Sequence, residues 1–265
     1  MRPPQSDGLL DPTWYDAIGV RLSRRKFTGE PVPRDATRQL QDLCSRFRPF
    51  DDVRLAYIER APDELFTGLI GSYGRIDGAP SAALLVGPRG AEIEMGYAGE
   101  GVVLEATRLG LDSCWLAGAF SRKRAAALAD LGPDDHVPAI IAIGIAEENH
   151  GMTERTIRAY ARASSRLPLE DLVEDLGSGA WPDWAVTAVE AARQAPSGGN
   201  SQPWRFRLEQ GALVLARKKV AYPTVALDLG IAMLHVELGA QHEGVRGRWE
   251  PLETGGVARF VPDVG

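Results

Sequence analysis

The sequence predicts an α+β protein on three observations. Segments of helical period are interspersed with short apolar runs in no regular βαβ series. One nearly continuous apolar run, Val137 to Ile145, reads as a strand buried on both faces. The order helix, loop, strand also recurs in outline between the first and second parts of the chain.

Taken in order, Asp11 to Val20 reads as a short helix, with Asp11 or Thr13 as cap and Pro12 near the first turn. It runs into Arg21–Phe27 and a turn at Thr28–Pro33. Asp35 to Cys44 places Ala36, Leu40 and Leu43 near helical period, and Val53 to Ile58 alternates as a strand. Ser81 to Val86 is a short apolar strand. Met95 to Leu109 is the strongest helix of the first half and carries Gly96, Ala98, Gly99 and Gly101 close together. Helical glycine costs about 1 kcal/mol relative to alanine. The cluster therefore implies close backbone approach to another element, or a helix boundary lying elsewhere. Gly110 is the C-cap, and Leu111 to Gly118 is strand or loop.

Residues 147–180 change character, with polar and charged stretches and linker punctuation at Gly177-Ser178-Gly179. A helix over 183–194, a loop at Ala195–Pro203, and strands at Trp204–Leu208 and Ala212–Leu215 follow. Leu227 to Leu238 is a helix containing Gly230, and Val257 to Val261 is a last strand. Helix 35–46 and strand 53–58 resemble helix 183–194 and strand 204–208. Helix 95–109 likewise resembles helix 227–238, at an offset of roughly 130 to 150 residues.

Composition removes several functions. The 265 residues carry 30 Lys+Arg and 36 Asp+Glu, a formal charge of −6, too acidic for a general nucleic-acid binder. No apolar run reaches the roughly 18 residues of a membrane helix, and the N-terminal stretch lacks a signal-peptide core. The cytoplasm is the expected compartment. Two cysteines, Cys44 and Cys114, and four histidines show no metal-ligand spacing. Glu92 and Glu94 are spaced for one face of a strand and read as surface acids.

Two segments carry chemical signal. In Arg21-x-Ser23-x-Arg25-x-Phe27 an extended backbone points Arg21, Ser23 and Arg25 the same way. Two guanidinium forks and a hydroxyl suit a phosphate monoester, while Arg24 and Lys26 point elsewhere, toward solvent. The plainer reading is a charged loop paired with nearby acids. In Ala195-Pro196-Ser197-Gly198-Gly199-Asn200-Ser201-Gln202-Pro203-Trp204, two glycines free backbone N–H groups. Asn200 and Gln202 each offer a donor and an acceptor for a heterocycle edge or ribityl hydroxyls. An ordinary turn uses the same residue types, and Trp204 reads as core. Leu116-Ala117-Gly118 is small and apolar enough to pass close to a flat ring. Cys114 reads as structural. Arg75-Ile76-Asp77-Gly78-Ala79-Pro80 is a turn that says nothing alone. A ring cofactor with a phosphate tail explains the first two segments together.

These motifs resemble the nitroreductase family of FMN flavoproteins, and within it the subgroup with two nitroreductase-like halves fused in one chain. The resemblance rests on Arg21–Phe27, on Ala195–Trp204 and on helix Gly99–Leu109 followed by Gly110–Trp115 and Leu116–Gly118. It implies a nitroreductase-like α+β fold whose tandem halves form an intrachain pseudo-dimer, with central mixed or antiparallel sheets flanked by helices. Residues 1–150 would be the first half, 151–180 the connection, and 181–265 a shortened second half. In ordinary members both motifs sit in one N-terminal half. Here Arg21–Phe27 is in the first half and Ala195–Trp204 in the second, so one complete site remains.

By position, Arg21, Ser23 and Arg25 would hold the FMN phosphate and ribityl end. Pro196, Ser197, Gly198, Asn200 and Gln202 would reach the ribityl chain and ring from the other half. Leu116, Ala117 and Gly118 would lie along the isoalloxazine, with Ala117 where many members carry a glutamate. Arg217, Lys218, Lys219, Arg246 and Arg248 all meet the requirement for a basic residue near the C-terminus. The implied activity is FMN-dependent oxidation of NADH or NADPH with ping-pong hydride transfer through flavin N5 to a nitroaromatic, a quinone or a related small acceptor. No protein nucleophile and no metal are needed. A non-catalytic FMN-storage protein and a structural protein with an empty site are the competing readings. The expected partner is a small-molecule acceptor, with neither nucleic acid nor membrane. The internal pseudo-dimer makes a monomer possible, and a further homodimer stays open.

Overall fold

Strands buried on both faces build the first sheet. The computed structural model describes residues 1–6, 8–66, 75–147, 165–174, 181–220 and 222–263. Five strands, β1 (Arg54–Ile58), β2 (Ser81–Pro88), β3 (Asp112–Leu116), β4 (Asp135–His136) and β5 (Ile140–Gly144), form an antiparallel sheet. Its order is β1-β2-β5-β3, with β4 paired to the end of β2. Ala83, Leu85, Ile141 and Ile143 face one core, and Ala82, Leu84, Ile140 and Ala142 face another. Both faces are covered, which is why β2 and β5 read as continuous apolar runs rather than alternating ones.

The larger core lies under four helices, α1 (Trp14–Val20), α2 (Arg34–Arg46), α3 (Glu92–Arg108) and, on the far side of α3, a long helix near the C-terminus. The smaller core lies under a 3₁₀ turn at Asp63–Phe66 and α4 (Arg122–Leu128), which Ser121 caps by accepting from the Arg124 N–H. After a single turn, α5 (Leu169–Leu172), come α6 (Asp183–Arg193), β6 (Trp204–Glu209) and β7 (Ala212–Arg217). The long helix α7 (Val225–His242), β8 (Gly247–Pro251) and β9 (Ala258–Pro262) complete the chain. The second sheet is antiparallel in the order β6-β7-β9-β8. Its β6–β7 hairpin turns on Gln210 and Gly211 at φ of 51° and 80°, the positive values a two-residue hairpin needs.

The helical glycines mark the seam between α3 and α7. A Cβ at Gly96 would stand 2.1 Å from the Leu227 carbonyl oxygen, and one at Gly230 would stand 1.8 Å from that of Ile93. Each glycine thus meets the carbonyl three residues before the other, a reciprocal contact. Gly99 makes room for Trp115 and Gly101 for Phe47.

Three expectations need correction. α3 begins at Glu92, three residues earlier than the apolar pattern implied, so Glu92 and Glu94 occupy a first helical turn. Acids are favoured there by the helix dipole. Glu94 is not a surface acid: it is buried, accepts from the Arg2 N–H at 2.8 Å and lies 3.9 Å from the Met1 amine. α4, β4 and β8 carried no prediction. Most of the connection over 151–180, including Gly177–Gly179, lies outside the described residues. Among the described residues no helix is long and apolar enough to cross a membrane, and no cluster of His, Cys, Asp and Glu could hold a metal.

Candidate functional site

The first segment is an extended strand pinned from several sides. α1 stops at Val20, and Arg21 takes extended backbone at φ −60°, ψ 127°. Ser23 bridges Ser113 of β3 in parallel, and the Arg24 N–H donates to the Ser113 carbonyl at 2.9 Å. On the other side the Asp77 N–H donates to the Arg25 carbonyl and the Phe27 N–H to the Asp77 carbonyl, both at 2.9 Å. The Arg75–Pro80 turn therefore has a task that its sequence did not disclose. Gly78, at φ +68°, passes so close that a Cβ would stand 2.4 Å from the Phe27 carbonyl oxygen.

This backbone fixes two guanidinium groups, that of buried Arg21 and that of half-buried Arg25. Arg21 is 7% exposed, its Nη1 donates to Ser23 Oγ at 3.3 Å, and its Nε is buried without a partner. The Arg25 Nε is likewise buried without a partner. Burial pushes the Arg21 guanidinium below its ordinary pKa, and the Glu100 carboxylate opposes that in part. Arg24 does not face solvent as the alternation suggested. It is 8% exposed, donates from Nη2 to the Glu147 carbonyl at 2.9 Å and lies 3.9 Å from Asp112 Oδ1. Partners on that side of the strand give its charge a buried place.

The second segment is a loop held in left-handed conformations. Gly199, Asn200 and Gln202 have φ of 57°, 54° and 43°. Such values are uncommon for residues with a side chain, and local bonding must hold them. Ser197 Oγ accepts from the Gln202 N–H at 3.0 Å. Asp228, in the first turn of α7, accepts from the Gly198 N–H at 3.0 Å and from the Thr224 hydroxyl at 3.0 Å. Gly198 has no room for a side chain, since a Cβ would lie 2.1 Å from Thr224 Oγ1 and 2.2 Å from the Tyr222 ring.

Burial raises the Asp228 carboxyl to about 7, against the hydrogen bonds that favour its ionised form. The folded chain then keeps a proton that the unfolded chain has released. Stability should therefore fall as pH rises from the ordinary carboxylate range to about 7, by about 4 kcal/mol. Asp228→Asn should flatten that slope. Denaturant unfolding of both proteins across pH 4 to 8 (roughly the window between the two values) checks this, and equal slopes would refute it.

The second segment is tied to Arg166, whose charge also feels that of Arg21. The Arg166 guanidinium donates to Asn200 Oδ1 at 3.3 Å and to the Gln194 carbonyl at 3.1 Å. Burial lowers its pKa to about 10, and repulsion from Arg21 and Arg193 adds to that. Arg21 from the first segment and Asn200 from the second thus share one cationic neighbour. The loop amides have protein partners. Asn200 Nδ2 donates to the Ser165 carbonyl at 2.9 Å, and Gln202 Oε1 accepts from the Leu167 N–H at 2.9 Å. Gln202, 4% exposed, fastens the loop from within. Pro196 and Ser197 are half-buried. Leu116 is buried at the end of β3, Ala117 is half-buried, and a Cβ on exposed Gly118 would meet nothing within 4 Å. Trp204 is in the core, and neither cysteine is a nucleophile: both are buried, and burial pushes the Cys44 thiol up to about 12. Among the basic residues near the C-terminus, Arg248 Nη2 is taken by Glu250 Oε1 at 2.8 Å.

Sequence reasoning missed Arg166, Asp228, Glu100 and His235. Glu100 is the lone ionisable residue of the small and apolar stretch Gly99–Leu104, and His235 shares the otherwise apolar Leu227–Leu238 with Asp228 and Glu237. Each such residue must find a buried partner, and that is the signal available in the sequence.

Residues 13–240 match the family model described as "Putative TM nitroreductase". The chain belongs to the nitroreductase family. The solved structure of a nitroreductase-like protein from Thermotoga maritima resembles this chain at 22% identity and a TM-score of 0.62, covering 94% of this chain and 93% of that one. A nitroreductase family protein from Clostridium difficile 630 matches at 20% identity and TM-score 0.45, over 62% of this chain and 98% of its own. A nitroreductase with bound FMN from Bacteroides fragilis matches at 16% and 0.40, over 52% and 91%. No curated protein sequence matches. This nitroreductase-family chain therefore has the family's α+β architecture of antiparallel sheets flanked by helices. Its pinned strand, with two buried, unpartnered guanidinium Nε atoms, fits an anionic group, and the open side of Gly118 fits a flat one.

Proposed function

We propose that this nitroreductase-family chain is an FMN-dependent oxidoreductase that uses NADH or NADPH to reduce nitroaromatic, quinone or related small acceptors. The observation that carries the reading is the pair of buried Arg21 and Arg25 Nε atoms that lack partners on a strand whose backbone is bonded to Ser113 and Asp77. Buried donors without partners are costly, and a phosphate supplies acceptors to both.

FMN, when bound, would supply hydride transfer between the nicotinamide and the second substrate. Arg21 and Arg25 would hold its phosphate, with Ser23 at the ribityl end. Pro196, Ser197, Gly198 and Asn200 would present the opposing loop, kept rigid by Gln202 and Asp228. Leu116, Ala117 and Gly118 would line the ring, where Ala117 has no side-chain donor and its backbone N–H replaces one. The cationic field of Arg21 and Arg166 would favour an anionic cofactor over a neutral one.

We further propose that the two sheets are the cores of two fused halves related by a pseudo-two-fold axis at the α3–α7 seam. The reciprocal approach of Gly96 to Leu227 and of Gly230 to Ile93 supports this, as a true two-fold produces such pairs. On this reading one chain contains a complete interface and a monomer suffices.

The test is a paired spectrum. The purified protein is expected to be yellow, to bleach with NADH or NADPH without oxygen, and to regain its colour with a quinone. A colourless protein that takes up no added FMN would refute the flavin assignment. A yellow protein that neither nucleotide bleaches would make it a flavin carrier.

A further inference from the structure

The buried pair Glu100–His235 is used by nothing described so far. Glu100 on α3 and His235 on α7 are each fully buried, and they meet across the seam. His235 Nδ1 is 2.9 Å from the Ala191 carbonyl oxygen. A carbonyl only accepts, so Nδ1 carries a hydrogen. His235 Nε2 is 3.0 Å from Glu100 Oε1, a buried contact that also needs a hydrogen between its two atoms. One proton therefore sits on that line. Imidazolium with carboxylate and imidazole with carboxylic acid are the two ways to place it, and both have zero net charge. The other carboxyl oxygen, Oε2, accepts from Trp115 Nε1 at 2.8 Å. Both oxygens of Glu100 are thus engaged.

Arg21 lies within the field of Glu100 yet forms no ion pair with it. A buried carboxylate without a counter-ion would take the nearest guanidinium as its partner. His235 removes that demand. We propose that Glu100 and His235 form a charge-neutral positioning pair that leaves the Arg21 guanidinium free for the phosphate of FMN, so that the second half of the chain sets the preference for the phosphorylated flavin over riboflavin. This rests on the flavin reading above.

The test measures FMN and riboflavin affinity separately, by quenching of flavin fluorescence, with thermal unfolding of each variant as the fold check. Wild type is expected to prefer FMN. His235→Gln strands the charge of Glu100 and should weaken FMN by about tenfold while moving riboflavin less than about twofold, since only the phosphate competes with the carboxylate for Arg21. Adding Glu100→Gln to that variant removes the stranded charge and should restore the wild-type preference. Should His235→Gln not fold, His235→Asn, which also leaves the Glu100 charge without its partner, takes its place in the same comparison. Equal weakening of both flavins, an unchanged preference in His235→Gln, or no recovery in the double variant would overturn the proposal while the flavin reading stands. Wild type that binds neither flavin would overturn both.

Discussion

Replacing Arg21 and Arg25 together with alanine is expected to abolish retention of FMN and leave the fold in place. Each guanidinium–phosphate contact is worth about 1.5–3 kcal/mol as a hydrogen bond to charged groups, so losing both weakens binding by about a hundredfold or more. The fold should survive because the strand is held by its backbone. Ser23 stays paired with Ser113, and residues 25 and 27 stay bonded to Asp77. Removing Arg21 also removes a buried charge that burial disfavours. The measurements are flavin absorbance per protein after desalting and circular dichroism of the same sample. Wild-type flavin occupancy in the double variant would reject the placement of the phosphate.

The second large effect concerns the seam. Gly230→Ala is expected to destabilise the protein by about 3 kcal/mol or more, the upper range for overpacking. The new Cβ would stand 1.8 Å from the Ile93 carbonyl oxygen and 2.7 Å from the Tyr97 nitrogen. Those are backbone atoms of a buried helix, so neither can rotate away. The sign makes the test decisive. In a helix with free space the same change stabilises by up to about 1 kcal/mol. Gly19, exposed in α1 with nothing within 4 Å of its Cβ position, supplies the control. Denaturant unfolding should show Gly19→Ala neutral or stabilising and Gly230→Ala strongly destabilising. Equal effects would mean that the helices can part without cost.

The elements legible in the sequence are those whose residues interact locally or face a uniform environment. β5 was readable because both of its faces are buried, and α2 because its apolar residues repeat on one side. The start of α3 was misread for a local reason: Glu92 and Glu94 two apart imitate a strand face, and nothing nearby announces that Glu94 meets Met1 and Arg2. Arg24 was assigned to solvent because alternation assumes an open far side, whereas Asp112 and Glu147 supply partners there. The composition of the candidate site was visible as motifs, but its supports were not. Glu100 and His235 are 135 residues apart, and Arg166 joins Asn200 across 34. Such pairs exist only once the helices have packed. The loop amides show the converse: Asn200 and Gln202 were readable as polar readers of a ring, and the fold has given both to residues 165–167.

The seam between α3 and α7 lies within one polypeptide, and this changes what dilution can do. Two separate subunits fall apart at low concentration, whereas tethered helices keep a high effective concentration however dilute the sample. The joint therefore has no dissociation constant to satisfy. Neither side has to serve as an identical copy of its opposite number. On the proposed reading of two fused halves, one can lose its arginine strand, and the other its amide loop, without leaving any molecule in solution that lacks a complete set.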